Sequence, residues 1–265
     1  MEVEFAQLSD PGRVRRNNED YLGSAVPAKP QEARTHGWLF ALADGVGGQA
    51  RGEVASRAAI ESVLSGFRAA RPGEPLPALL ARLVQDANAR VLDMGMAAAP
   101  GGVNMATTMV ACALRYDRAV VAHAGDSRCY LIRKEQVSVL TRDHTVANEQ
   151  LHLGILSVRE ATATDTKHLL TRSLGTNMSL NVELAEHAVF PGDVLVLCSD
   201  GLHGAVDATD FARILMPNRD LHLAVRDLVT MANQNDGSDN ISVLAVRVRS
   251  VERVGMYRGR PYRLH

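Results

Sequence analysis

No sign of charge prevails in this chain. Its 29 Lys and Arg face 30 Asp and Glu, for a formal net charge of −1, so no global field draws it to nucleic acid or to an anionic membrane. Long hydrophobic runs are also missing, and no apolar stretch approaches the roughly 18 residues of a membrane span. The first residues lack a basic region followed by an apolar core, which argues against a signal peptide. Cysteine is scarce: Cys112, Cys129 and Cys198 sit inside apolar runs with no Cys-x-x-Cys spacing. They read as small buried hydrophobes in a reducing compartment. No Gly/Ser/Pro-rich linker, internal repeat or low-complexity tract divides the middle. A hydrophobic content of 46% over 265 residues suffices for one large core. These absences point to a soluble, cytoplasmic, globular protein.

Periodicity supplies the elements. Residues 3–8 alternate like a strand, and Trp38–Ala43 is a second one. Residues 53–70 predict a helix with Ile60, Val63, Leu64 and Phe67 on one face. A second helix carries Leu76, Leu79, Leu80, Leu83, Val84, Ala87 and Val91. Strands follow at 106–115, 119–124, 128–133 and 136–140, then weakly amphipathic short helices over 146–165. Strands at 181–188 and 193–198, helices near 208–216 and 220–234, and a strand at 241–248 complete the order. Strands joined by short turns favour antiparallel pairing. Two long helices between strands need a sheet to pack on, so the expectation is layered helices on antiparallel sheets.

Acidic residues mark the strand ends. Asp44 begins AspGlyValGlyGly after the apolar run Trp38–Ala43, Asp200 lies in SerAspGlyLeu after Val194–Cys198, and Asp239 precedes Ile241–Val246. Carboxylates held on strand ends can converge in one cleft. Crowded carboxylates repel each other and ask for a cation, and all-oxygen donors suit Mg²⁺ or Mn²⁺. Asp236 lies near Asp239, so either could be the acid used. Arg15 has Arg13 and Arg16 as neighbours.

The ordered set SerAspProGlyArgValArgArgAsnAsnGluAsp (9–20), AspGlyValGlyGly (44–48), AlaGlyAspSerArg (124–128), ThrArgAspHis (141–144), LeuThrArgSerLeuGly (170–175), SerAspGlyLeu (199–202) and AspAsnIleSerVal (239–243) resembles the metal-dependent protein phosphatases of type 2C, the PPM family, in their compact bacterial form. The resemblance implies an α+β fold, a four-layer αββα sandwich of two antiparallel sheets flanked by helix pairs. It implies a phosphatase domain over 1–250 with a small flap at about 145–170, followed by a basic tail at 251–265 carrying Arg253, Arg258, Arg260 and Arg263.

The implied activity is hydrolysis of phosphoserine and phosphothreonine by attack of a metal-bridging water, with two Mn²⁺ or Mg²⁺ ions and a third held more weakly. Asp44, Gly45 through its carbonyl, Asp200 and Asp239 carry over as metal ligands, and Asp126 as a ligand of the third ion. Glu19 and Asp20 correspond to acids that hold metal-bound waters, and Arg15 to the phosphate-binding arginine. Many relatives place a histidine where this chain has Val46 and Gln49. His144 is therefore a candidate general acid, beside water as the alternative. Each of the three cysteines lies inside a strand-like apolar run and not in the phosphate-binding loop of a thiol phosphatase. The implied partners are phosphoproteins and a cognate Ser/Thr kinase, for a monomer without nucleic acid or membrane contacts. Two rivals stay open: the same chemistry on one dedicated phosphoprotein, and a non-catalytic phosphoprotein-binding relative.

Overall fold

In the computed structural model the described residues are 1–46, 51–215, 219–257 and 260–263. Along the chain run β1 (Glu2–Asp10), β2 (Asp20–Ala25), α1 (Pro30–Thr35), β3 (Trp38–Asp44), α2 (Gly52–Arg68), α3 (Leu76–Ala97), β4 (Met109–Arg115), β5 (Arg118–Ala124), β6 (Arg128–Arg133) and β7 (Gln136–Val139). Then come α4 (Val146–His152), α5 (Val158–Ala163), a 3-10 turn (Asp165–His168), β8 (Glu183–Ala188), β9 (Val194–Cys198), α6 (Asp200–His203), α7 (Ala208–Ile214), α8 (Leu221–Asn235), β10 (Ile241–Ser250), β11 (Val254–Tyr257) and β12 (Arg260–Arg263).

Two five-stranded sheets form, β1-β10-β9-β6-β7 and β2-β3-β4-β5-β8, and each pairing within them is antiparallel. Side chains alternate across a strand. On β3, Trp38, Phe40 and Leu42 enter the core between the sheets. Leu39, Ala41 and Ala43 join the core under α2 and α3. On β9, Leu195 and Leu197 face the other sheet while Val194, Val196 and Cys198 pack with α7 and α8. A strand buried on both faces has no polar side to show, so its sequence reads as an unbroken apolar run. The three cysteines are buried and free. This is the α+β, helix–sheet–sheet–helix arrangement that the sequence led us to expect.

Strand β2 was not legible from periodicity. AspTyrLeuGlySerAla offers little apolar alternation, and its glycine argues against a strand. Packing explains the residue: a Cβ on Gly23 would lie 2.6 Å from Ile60 Cγ2 and Leu64 Cδ1, so glycine lets α2 settle onto the sheet. β3 supplies the partner, with Asp20 opposite Asp44. The short helices α1 and α6 were likewise not anticipated. Within the basic tail, β11 and β12 form an antiparallel ribbon with Val254 opposite Arg263; no strand was expected there from the sequence.

The inter-sheet core contributes to stability through buried aromatic side chains. Phe40 is fully buried, with its ring 5.2 Å from that of Phe5. Phe40→Ala should destabilise the fold by about 3–5 kcal/mol in urea unfolding. Met178→Ala, at a highly exposed side chain, should stay within about 0.5 kcal/mol.

Candidate active site

One end of the sandwich gathers the acids. Sheet strands β2 and β3 deliver Asp20 and Asp44, β9 runs toward Asp200 at the start of α6, and Asp239 lies just ahead of β10, separated from it by Asn240. Asp126 sits in the turn that carries the chain from β5 in one sheet to β6 in the other. Both sheets therefore contribute. A cleft of about 680 Å³ is lined by Arg15, Glu19, Asp44, Gly45, Asp126, Asp200 and Asp239, with Asp236 also on its wall. Asp20 lies behind this lining, 7% exposed.

The backbone around each acid is tied down locally. The Asp44 N–H donates to Thr108 Oγ1 at 3.0 Å, and the Asp44 carbonyl accepts from Thr108 N–H at 2.8 Å and Thr107 Oγ1 at 2.7 Å. A Cβ on Gly45 would meet the Gly52 backbone at 2.5 Å, so only glycine fits this close approach of loop and helix start. Asn240 stitches the Arg15 loop to the Asp239 loop. Its Nδ2 donates to the carbonyls of Pro11 and Asn17, and its Oδ1 accepts from Glu19 N–H at 2.8 Å. Gly12, at φ +77°, lies so close to the Asp239 carbonyl that a Cβ would sit 2.2 Å from it.

Electrostatics set the character of the cleft. Burial pushes the Asp44 carboxyl well above the usual carboxylate range, and Asp20, Asp200, Asp126 and Asp239 add repulsion. Burial raises Asp126 to about 8, with Asp200 and Asp143 contributing. It raises Asp20 to about 7, against hydrogen bonds from Ser242 and Ser199 that favour the anion. Asp20 Oδ2 accepts from Ser199 Oγ at 2.8 Å, while its buried Oδ1 has no hydrogen-bond partner. Glu19 is raised chiefly by burial and by Glu53. Against these acids stands Arg15, whose Nη2 lies 2.7 Å from Asp239 Oδ2. That bond raises the Arg15 pKa. An all-oxygen donor set, crowded, buried and short of counter-charge, fits a hard divalent cation.

His144 does not belong to this cleft. It is 1% exposed, at the root of the 145–170 segment. Its Nδ1 accepts from Gly125 N–H at 3.2 Å, and its Nε2 meets Glu183 Oε2 at 3.1 Å. Burial holds its pKa down at about 4, helped by His123 and Arg172, so the imidazolium a general acid needs is absent near neutral pH. Of the two candidates, this placement weighs against His144 and for water. His123, His144 and Glu183 do bring three ligand atoms within 4.8 Å of one another. The two rings stack at 4.6 Å and 7°. Arg172 Nη1 lies 3.1 Å from His144 Nε2, and a guanidinium at that atom works against a cation there.

Sequence reasoning missed the far wall. Lys167, His168 and Leu170 of the 145–170 segment line the cleft, and His168 Nδ1 lies 3.8 Å from Asp200 Oδ2. Adjacent Lys and His in a weakly apolar stretch were the available signal. Val46 also lines the cleft. Gln49, with Gly47 and Gly48, lies outside the described residues.

Known proteins share this fold. The family model for protein phosphatase 2C matches residues 16–236. The serine/threonine phosphatase stp of Listeria monocytogenes is 32% identical over 250 residues, 93% of this chain and 95% of that protein. The solved serine/threonine phosphatase of S. agalactiae superposes with a TM-score of 0.84 at 30% identity, covering 94% of this chain and 100% of that one. The catalytic domain of the phosphatase PstP, solved in complex with 2 manganese ions, superposes with a TM-score of 0.78 at 30% identity, covering 94% and 99%. With a matching family model, relatives of full-length coverage and the same two-sheet architecture, the chain belongs to the protein phosphatase 2C family of metal-dependent serine/threonine phosphatases.

Proposed function

We propose that this protein hydrolyses phosphoserine and phosphothreonine on protein substrates, with Asp44, Gly45, Asp200 and Asp239 holding two Mn²⁺ or Mg²⁺ ions and Asp126 a third. The observation that carries this reading is the convergence of buried carboxylates from both sheets on one cleft with a guanidinium at its edge. Cations bound there supply Lewis acidity toward the phosphoryl group and a lowered pKa of water.

The chain's own residues account for the rest. Arg15, half exposed and joined among the described residues to Asp239, can turn its planar fork onto two phosphate oxygens and offset their growing charge. Glu19 and Asp20 accept hydrogen bonds from water and orient it beside Asp44. The walls formed by Lys167 and His168 on one side and Arg15 on the other leave an opening for an extended phosphopeptide. His144 is sequestered and Val46 carries no proton; in this reading the leaving hydroxyl oxygen takes its proton from water in the cleft. A thiol mechanism has no support, since Cys112, Cys129 and Cys198 are fully buried.

The same reading has the protein act as a cytoplasmic monomer opposing a Ser/Thr kinase, without nucleic acid or membrane partners. A net charge near zero supports the lack of a polyanionic partner. Among the described residues, no helix is long and apolar enough to cross a membrane.

Three outcomes test the proposal. Turnover of a phosphothreonine peptide should vanish in EDTA and return with Mn²⁺ or Mg²⁺; full activity in EDTA rejects the cation chemistry. Asp200→Asn and Asp239→Asn should each cost at least about a hundredfold in kcat while keeping a cooperative melt, because a neutral amide is a poor ligand for a hard cation. A variant with normal turnover would be removed from the site. Arg15→Lys should weaken inhibition by inorganic phosphate and lower kcat/KM by about tenfold or more, whereas Arg13→Lys and Arg16→Lys stay close to the parent. Equal losses at all three would mean diffuse positive charge, not a bidentate grip.

A further inference from the structure

His144 and His123 are buried histidines that the reaction does not use, and they lie against the partly exposed Glu183, Arg142 and Arg172. The His144 ring is stacked on His123, and its Nε2 faces Glu183, beside which lie Arg142 at 3.4 Å and Arg172 at 4.0 Å. Such a cluster is costly to bury unless its groups satisfy one another. What it holds is the turn that presents Asp126.

Residue 144 makes two reciprocal hydrogen bonds to one residue of that turn. The His144 N–H donates to the Gly125 carbonyl at 3.0 Å, and the Gly125 N–H donates to His144 Nδ1 at 3.2 Å. Gly125 needs holding, because it sits at φ +111° with its would-be Cβ 2.6 Å from Thr108. From the other side, His203 Nε2 on α6 donates to the Asp126 carbonyl at 3.0 Å. Ser127 then joins Thr108 through a hydroxyl pair at 2.7 Å, and Thr108 holds Asp44. These bonds run to the backbone of residues 125 and 126, so they aim the Asp126 carboxylate while leaving its oxygens free.

We propose that His144 is a positioning residue: through Nδ1 and its backbone it fixes the Gly125–Asp126 turn in the geometry that lets Asp126 bind a cation. The inference rests on the reading of Asp126 as ligand of the third, weaker ion. His144 also accepts from Thr171 N–H at 2.9 Å through its carbonyl, so the same residue ties the turn to the root of the 145–170 segment.

Two conservative variants separate aiming from mere packing. In His144→Asn the amide oxygen replaces Nδ1 and can still accept from Gly125 N–H. In His144→Gln the longer side chain replaces Nε2 toward Glu183 and leaves the Gly125 N–H without its acceptor. Both are made in the full chain with Asp126→Ala as reference, and melting temperatures are recorded. Mn²⁺ binding is followed by equilibrium dialysis into the millimolar range, and protection of the Gly125 amide by hydrogen exchange on metal-free protein. We expect His144→Gln to weaken the loosest Mn²⁺ class by about tenfold and to lose Gly125 protection. His144→Asn should keep both near the parent values, and all variants should keep the tight Mn²⁺ class. If Asp126→Ala removes the loose class while both His144 variants retain it, the positioning role is wrong. Equal loss in Asn and Gln, in step with melting temperature, would also overturn it in favour of simple packing. If Asp126→Ala leaves the loose class intact, the assignment of Asp126 fails, and the inference with it.

Discussion

Buried carboxylates with too little positive charge beside them are the constraint that the rest of this molecule serves. Burying an anion costs free energy that only a partner can offset. Asp20, Asp44 and Asp126 are all held above the usual carboxylate range, with burial as the leading cause. A loose scaffold would let them swing apart into water. The two-sheet sandwich does not, because β3 and β9 are buried on both faces and their ends cannot move without disturbing two cores at once. The acids stay crowded, and in the proposed function that crowding is what recruits cations to the cleft.

The scaffold fixes these acids mostly with neutral groups. Thr108, Asn240 and the backbone of closely packed glycines set the positions of Asp44, Asp239 and the Arg15 loop. Had lysines or arginines done this work, they would have neutralised the carboxylates and removed their demand for metal. Where an arginine is used nearby, as Arg128, it is turned onto Asp143 by two bonds of 2.8 and 2.7 Å. Arg15 is the exception, and its exposure suits it: a cation at the mouth of the cleft can leave one acid for an incoming phosphate.

The sheets, the long helices and the strand-end acids were legible because each leaves a periodic or positional mark. Trp38–Ala43 is an unbroken apolar run ending in Asp-Gly, and both halves of that pattern have a physical cause in the fold. β2 left no such mark, since its glycine answers to the approach of α2, a contact 37 residues downstream at Ile60. His144 misled for a related reason. A histidine after an aspartate in a polar stretch looks like a surface loop residue near a cleft, and nothing local says that β5 and β8 close over it. Lys167 and His168 reach the cleft only through the path of the 145–170 segment, which local propensity does not encode.

The central claim, that this fold holds carboxylates in a state only a cation relieves, is open to a direct thermodynamic test. A group whose folded pKa is raised loses its stabilising contribution as pH rises through that folded value. For Asp20 at about 7 and Asp126 at about 8, the loss begins above the unfolded carboxyl value of about 4 and runs on until the folded values are passed, so its last part spans neutrality. The depressed histidines His123, His144 and His203 act with the opposite sign and only below about pH 6.5. The decisive measurement is therefore the melting temperature between about pH 6.5 and pH 8, in EDTA and in saturating Mn²⁺. The account predicts that the metal-free Tm falls as pH rises and that Mn²⁺ flattens the decline, so its stabilising shift is larger at the alkaline end. A metal-free Tm that is flat or rises across that window, with the same Mn²⁺ shift at both ends, would contradict it.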